Sequence, residues 1–151
     1  MHPEGLALIG PAGLTAIRSS TWGRDVTAVG GLTLGADPIA YAISYASELE
    51  SPDRTVRAFT VRKEAKSHGT GKLIEGPFES GDRVAVVEDV ITTGGSALRA
   101  VAAVRGGGGI VAGVLALVDR EEGGRQALEA EGLEVAVLVR GSEVLARLTK
   151  A

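Results

Sequence analysis

The chain contains no cysteine and only two histidines. The first absence removes any disulfide framework, and the two together leave too few ligands for a zinc site of the usual kind. Aromatic residues make up 3% of the 151 residues, and 16 basic against 19 acidic side chains give a net charge of -3. Few faces are left on which nucleobases could stack and no excess of positive charge is left to hold a phosphate backbone, so nucleic acid is an unlikely partner. No apolar run reaches the roughly 18 residues needed to cross a bilayer. Met1-His2-Pro3-Glu4 lacks the positive and then apolar pattern of a secretory leader. The expectation is a soluble, cytoplasmic protein with no membrane partner.

Glycine is plentiful instead. The 22 glycines fall between apolar runs, at Gly30-Gly31, 69–76, Gly94-Gly95, 106–109 and Gly123-Gly124, with no periodicity. They mark turns. The β-branched runs between them, at 26–29, 56–61, 84–87, 110–118 and 135–139, are apolar on both alternating faces, as centrally buried parallel strands are. Asp37 reads as a helix cap with Pro38 at the first helical position. Ile39, Ala42, Ile43, Ala46 and Leu49 then fall at helical spacing, which predicts a helix over 37–49. Ser96 reads as the cap of a second helix carrying Leu98, Val101 and Ala102 on one face, and 121–131 as a third. Before residue 25 the pattern is irregular, because Pro11 and Gly13 interrupt an apolar stretch. Alternating strands and helices predict one α/β domain over 1–151, with a central, mostly parallel sheet of about five strands flanked by helices. Its ligands belong at the carboxyl ends of the strands.

One strand end is chemically distinctive. The apolar run at 84–87 leads into Glu88-Asp89-Val90-Ile91-Thr92-Thr93-Gly94-Gly95-Ser96 and then into a helix. Small residues let the N–H groups of 93–96 converge on an anion, and the positive end of the helix adds to the field. Glu88 and Asp89 are acceptors that suit sugar hydroxyls and would repel a phosphate. The combination of phosphate and vicinal diol is ribose 5-phosphate. A plain strand-to-helix link is the competing reading. Neither G-x-x-x-x-G-K-[ST] nor G-x-G-x-x-G occurs in the chain.

The stretch resembles the phosphoribosyl pyrophosphate (PRPP) signature of type I phosphoribosyltransferases. That resemblance assigns Glu88 and Asp89 to the ribose hydroxyls and the loop from Val90 and Ile91 through Thr92, Thr93, Gly94, Gly95 and Ser96 to the 5-phosphate. A second segment, Arg62-Lys63-Glu64-Ala65-Lys66-Ser67-His68-Gly69, follows the run at 56–61 and reverses the acidic balance of the chain. A basic loop is ordinarily solvated surface, but this one begins on the ligand side of the sheet and its glycines would let it move as a lid. It resembles the catalytic loop of orotate phosphoribosyltransferase. The resemblance implies that Arg62, Lys63, Lys66 and His68 contact the pyrophosphate of PRPP, with Lys66, His68 and Asp89 catalytic. It also implies a homodimer in which Lys63, Lys66 and His68 are offered to the neighbouring subunit's site.

Two further segments fit the same family. Gly31, Leu32, Thr33 and Leu34 follow the first strand and match the family's pyrophosphate loop, although a tight turn explains them equally well. Arg120 ends another strand and matches the position that, with Thr92, holds orotate; an ion pair with Glu121 or Glu122 is the alternative. The implied reaction transfers ribose 5-phosphate from PRPP to orotate, giving orotidine 5′-monophosphate and pyrophosphate in pyrimidine biosynthesis. The implied cofactor is Mg²⁺, carried by PRPP and reaching Asp89 through water rather than bound directly by the protein. Family members carry a Ser-Gly-x-x-Ser-x-x-Tyr segment, a lysine and aromatics before the position of His2-Pro3-Glu4-Gly5. This chain opens at that position, so the resemblance leads to the expectation of an incomplete hood over the base, in a shortened or a degenerate relative. A phosphoribosyltransferase for another base and a non-catalytic PRPP- or nucleotide-binding regulator are the competing functions. The run 106–109 has no functional reading.

Overall fold

The computed structural model describes residues 2–64 and 73–149. Helix α1 (Pro3–Ser19) is followed by β1 (Ala28–Leu32), α2 (Asp37–Glu50), β2 (Arg57–Val61), β3 (Ile74–Glu75) and β4 (Arg83–Ile91). Then come α3 (Gly95–Gly106), β5 (Ile110–Asp119), α4 (Gly124–Ala130), β6 (Val135–Arg140) and α5 (Gly141–Leu148). The strands form one six-stranded sheet in the order β3-β2-β1-β4-β5-β6. All neighbours run parallel except β3, which pairs antiparallel with β2 through Thr60–Glu75 and Val61–Ile74. The five expected strands are present. The sixth has two residues and no periodicity of its own, so only its pairing with β2 reveals it.

The sheet is buried on both faces, which is why its strands read as continuous apolar runs. Val84, Val86, Val114 and Ala116 meet Ala97, Ala100, Val101 and Val104 of α3 on one side. Val29, Ala85, Val87 and Leu115 meet Leu14 and Ile17 of α1 and Ile39 and Ile43 of α2 on the other. The irregular N-terminal stretch is a helix that runs through Pro11. Its glycines set the helix contact: a Cβ at Gly10 would lie 2.5 Å from the Ala42 carbonyl oxygen, and one at Gly13 would strike Ile43. Among the described residues no helix is long and apolar enough to cross a membrane.

Local signals misread the caps of two helices and the start of a third. Asp37 is the first residue of α2 and makes no capping bond; Ala36 is the cap residue. The Asp37 carboxylate serves another purpose, described below. The cap of α3 is Gly94, with a φ of 83°, and Ser96 lies inside the first turn. Helix α4 begins only at Gly124, since Glu121 and Gly123 hold φ values of 62° and 89° that a helix cannot continue through. The glycine run 106–109 has a packing role. Side chains at Gly107 and Gly109 would come within 2.9 Å of the Phe78 ring, and Phe78 in turn stacks on Phe59 at 5.2 Å.

Candidate active site

The strand order reverses between β1 and β4: the chain leaves β1 toward β2 and β3, then returns to β4 and proceeds to β5 and β6. In open α/β sheets such a reversal opens a crevice at the carboxyl ends of the strands. The acid pair at the end of β4 and the loop after β1 lie there. They meet closely, since a Cβ on Gly35 would stand 2.6 Å from Asp89 Oδ2. The Asp89 carboxylate therefore rests against the backbone that follows the predicted pyrophosphate loop.

Glu88 and Asp89 are adjacent in sequence and differ in surroundings. Asp89 is partly exposed and accepts a hydrogen bond from the Val90 N–H at 2.8 Å through Oδ1. Glu88 is 7% exposed, and its buried Oε2 has no hydrogen-bond partner among the described residues. Burial pushes the Glu88 carboxyl from its ordinary 4.5 up to about 7, with the Asp89 side chain acting in the same direction through a hydrogen bond and its negative charge, and the Asp89 backbone N–H and then Arg99 opposing them. A buried, unpartnered carboxylate oxygen is costly unless something supplies a donor. A ribose hydroxyl is such a donor.

The loop after β4 is shaped to take an anion. Among the described residues, the N–H groups of Thr93, Gly94, Gly95 and Ser96 and the hydroxyls of Thr92, Thr93 and Ser96 make no hydrogen bond. They stand at the N-terminus of the 12-residue α3, where backbone donors and helix dipole favour negative charge. Gly94 gives the loop its left-handed turn. Gly124 closes it from the other side: a Cβ there would lie 2.4 Å from the Thr92 carbonyl oxygen and 2.7 Å from the Gly94 nitrogen. Sequence reading placed Gly123-Gly124 in a turn and missed this packing, which depends on the parallel pairing of Ile91 with Asp119.

The same pairing sets Arg120 beside Thr92, and the Arg120 N–H donates to the Ile91 carbonyl at 3.0 Å. Its guanidinium makes an ion pair with Glu122 at 2.6 Å. The ion pair that is the alternative reading of Arg120 is thus present in the structure. Asp119, 5% exposed, holds this turn by accepting the Glu121 N–H at 2.8 Å.

On the other side of the crevice, the register of Leu32 with Val61 sets Thr33 next to Arg62. Thr33, Leu34, Arg62 and Lys63 line one cavity of about 710 Å³. The expected pyrophosphate loop and the start of the basic segment are thereby brought together. Arg62 and Lys63 also border a second cavity, of about 760 Å³, over Phe78 and Arg99. Arg62 pairs with Glu75 at 3.6 Å, and its N–H bonds to the Leu73 carbonyl, so the basic segment joins β2 to β3. Lys66 and His68 lie outside the described residues.

No group of three or more acidic or histidine side chains suited to a metal occurs among the described residues. The partly exposed Asp89 carboxylate suits contact through water with a magnesium ion whose own oxygen ligands come from a phosphorylated substrate.

The strand order, the switch-point crevice and the acid pair above an open N–H loop place the fold among the type I phosphoribosyltransferases. No family model matches the chain. The orotate phosphoribosyltransferase of Aquifex aeolicus (strain VF5) is 51% identical to it over 143 residues, 95% of this chain and 75% of that protein. The crystal structure of Mycobacterium tuberculosis H37Rv orotate phosphoribosyltransferase in complex with Fe(III) dicitrate matches with a TM-score of 0.82 at 46% identity, covering 95% of this chain and 77% of that one. The structure of the same enzyme in complex with PRPP matches with a TM-score of 0.77 at 46% identity, covering 94% and 76%. The chain belongs to the orotate phosphoribosyltransferase family.

Proposed function

We propose that the protein transfers ribose 5-phosphate from PRPP to N1 of orotate, giving orotidine 5′-monophosphate and pyrophosphate in pyrimidine biosynthesis. The observation that carries this reading is the buried Glu88 oxygen that has no partner among the described residues, beside Asp89 and shortly before a loop whose N–H groups make no hydrogen bond among them either. The carboxylates would accept from the ribose hydroxyls and the N–H groups of 93–96 would donate to the 5-phosphate. As the anomeric C–O bond breaks, positive charge grows on the ribose and negative charge on the departing pyrophosphate. Arg62 and Lys63, with Lys66 and His68 from the same segment, would answer the second charge, and the carboxylates below the ring would favour the first. Magnesium, carried on the pyrophosphate, supplies further countercharge when bound. Arg120 would leave Glu122 for the orotate carboxylate, where a guanidinium can make two parallel hydrogen bonds.

The family resemblance also supports a cytoplasmic homodimer in which Lys63, Lys66 and His68 serve the neighbouring site. The exposed groove between α1 and α2, about 900 Å³ and bordered by Leu6, Pro11, Tyr41, Tyr45 and Leu49, is the kind of apolar surface that association covers. Light scattering tests the assembly. The decisive experiment is a spectrophotometric assay of orotate consumption with PRPP and Mg²⁺, run beside Asp89→Asn. Turnover abolished by the substitution supports the reading. Turnover with uracil or hypoxanthine but not orotate would reassign the base, and PRPP binding without turnover on any base would indicate a regulator.

A further inference from the structure

Asp37 has no part in capping α2, yet its carboxylate is fully engaged. Oδ2 accepts the Thr33 hydroxyl at 2.6 Å and Oδ1 accepts the Thr60 hydroxyl at 2.9 Å. With the Thr60 proton given to Asp37, the Tyr41 hydroxyl is the donor in its 2.9 Å contact with Thr60 Oγ1. One carboxylate therefore ties three elements: the loop after β1, the first turn of α2, and β2 two residues before Arg62. All three bonds border the cavity shared by Leu34, Arg62 and Lys63.

The chemistry of this knot is wrong for binding an anion and right for holding something that does. A carboxylate accepts only, so both hydroxyls spend their protons on it and neither can donate to a phosphate. The free donors nearby are the Leu34 and Gly35 N–H groups, which make no hydrogen bond among the described residues, whereas Thr33 N–H bonds to the Val61 carbonyl and Ala36 N–H to the Leu32 carbonyl. Two open N–H groups thus sit between two anchored ones, on a loop whose side-chain anchor is Asp37.

We infer that Asp37 is a positioning residue for the pyrophosphate end of the substrate, bracing the 33–36 loop against β2 so that the Leu34 and Gly35 N–H groups and Arg62 converge on one anion. This rests on the proposed function and adds to it a residue that touches no substrate atom. Its removal leaves two hydroxyls without an acceptor and frees the loop, while the Thr93 to Ser96 loop across the crevice is untouched.

The test is calorimetric titration with inorganic pyrophosphate plus Mg²⁺, and separately with ribose 5-phosphate, on the unsubstituted protein and on Asp37→Ala, Asp37→Asn and Thr60→Val. Asp37→Ala should weaken pyrophosphate about tenfold and change ribose 5-phosphate by less than about twofold, as expected when preorganisation of one half-site is lost. Asp37→Asn, which can still bond both hydroxyls, should recover most of the loss. An unchanged pyrophosphate affinity, or an equal loss for both ligands, overturns the inference. Should Asp37→Ala fail to fold, the near-isosteric Thr60→Val decides on the same two readouts, with about a threefold selective loss expected. If the unsubstituted protein binds neither ligand, the functional reading itself falls, and the inference with it.

Discussion

Strand β4 is flanked by a buried acid at each end, and the two differ in one respect that separates framework from site. Asp82, just before the strand and 5% exposed, is saturated: it accepts from the Thr27 hydroxyl at 2.8 Å, from Arg57 and from the Glu79 N–H at 2.8 Å. Glu88, near the far end and 7% exposed, keeps an oxygen with no partner among the described residues. Burial is nearly equal. Satisfaction is not: of the two buried carboxylates only Glu88 keeps an open oxygen, a state that a hydroxyl donor from a ligand would relieve. At the amino end the buried carboxylate of Asp82 is closed by hydrogen bonds of the fold, although the neighbouring Arg83 Nε is itself buried without a partner among the described residues; at the carboxyl end a carboxylate oxygen and the N–H groups of Thr93 to Ser96 are open.

The contrast can be broken from either end. The largest effect is expected at the open end: Asp89→Asn should lower kcat/KM for PRPP about a hundredfold, since the acid proposed to face the reacting ribose loses its charge, while the unfolding free energy stays within about 0.5 kcal/mol. Steady-state kinetics and urea titration check the two halves. Asp82→Ala should do the reverse, costing about 2 kcal/mol of stability by stranding Arg57, the Thr27 hydroxyl and the Glu79 N–H, with kcat/KM at low temperature unchanged. A loss of activity without loss of stability would sink the division between the two ends.

Gly124→Ala probes the wall of the phosphate loop. Its new methyl group would meet the Thr92 carbonyl and the Gly94 nitrogen, so ribose 5-phosphate affinity should drop about tenfold, with pyrophosphate affinity retained. The last effect is one of pH and concerns Glu88 itself. Its folded pKa of about 7 lies above the ordinary 4.5, so the folded protein binds this proton more tightly than the unfolded chain. The associated stability is complete below the unfolded value and is lost as pH rises through the folded one. Between about pH 5 and about pH 8 the Tm of the ligand-free protein should therefore fall relative to that of Glu88→Gln, which cannot ionise. Parallel curves for the two proteins would show that the buried carboxyl carries no such proton.

The five main strands, the segment over 37–49 and the order of the functional stretches could be read from the chain, because each rests on local features: apolar runs, helical spacing, and small residues after acids. The acid pair and Thr92 to Ser96 are contiguous, so they could be singled out as a candidate site before any fold. What could not be read depends on partners distant in sequence. Asp37 looked like a cap because capping is the ordinary role of aspartate before a proline; its engagement by Thr33 and Thr60 exists only once β1 and β2 pair in register. The glycine run 106–109 was opaque until Phe78 lay against it, and Gly124 until β4 paired with β5. Thr60, a hydroxyl in an apolar strand, was the available clue to the brace. Sequence order alone thus carried the strands, the acids and the anion loop, since these follow from residue type and near-neighbour spacing. Strand order and register decided which of them share a crevice, because convergence of groups dozens of residues apart is a property of the sheet and not of any segment within it.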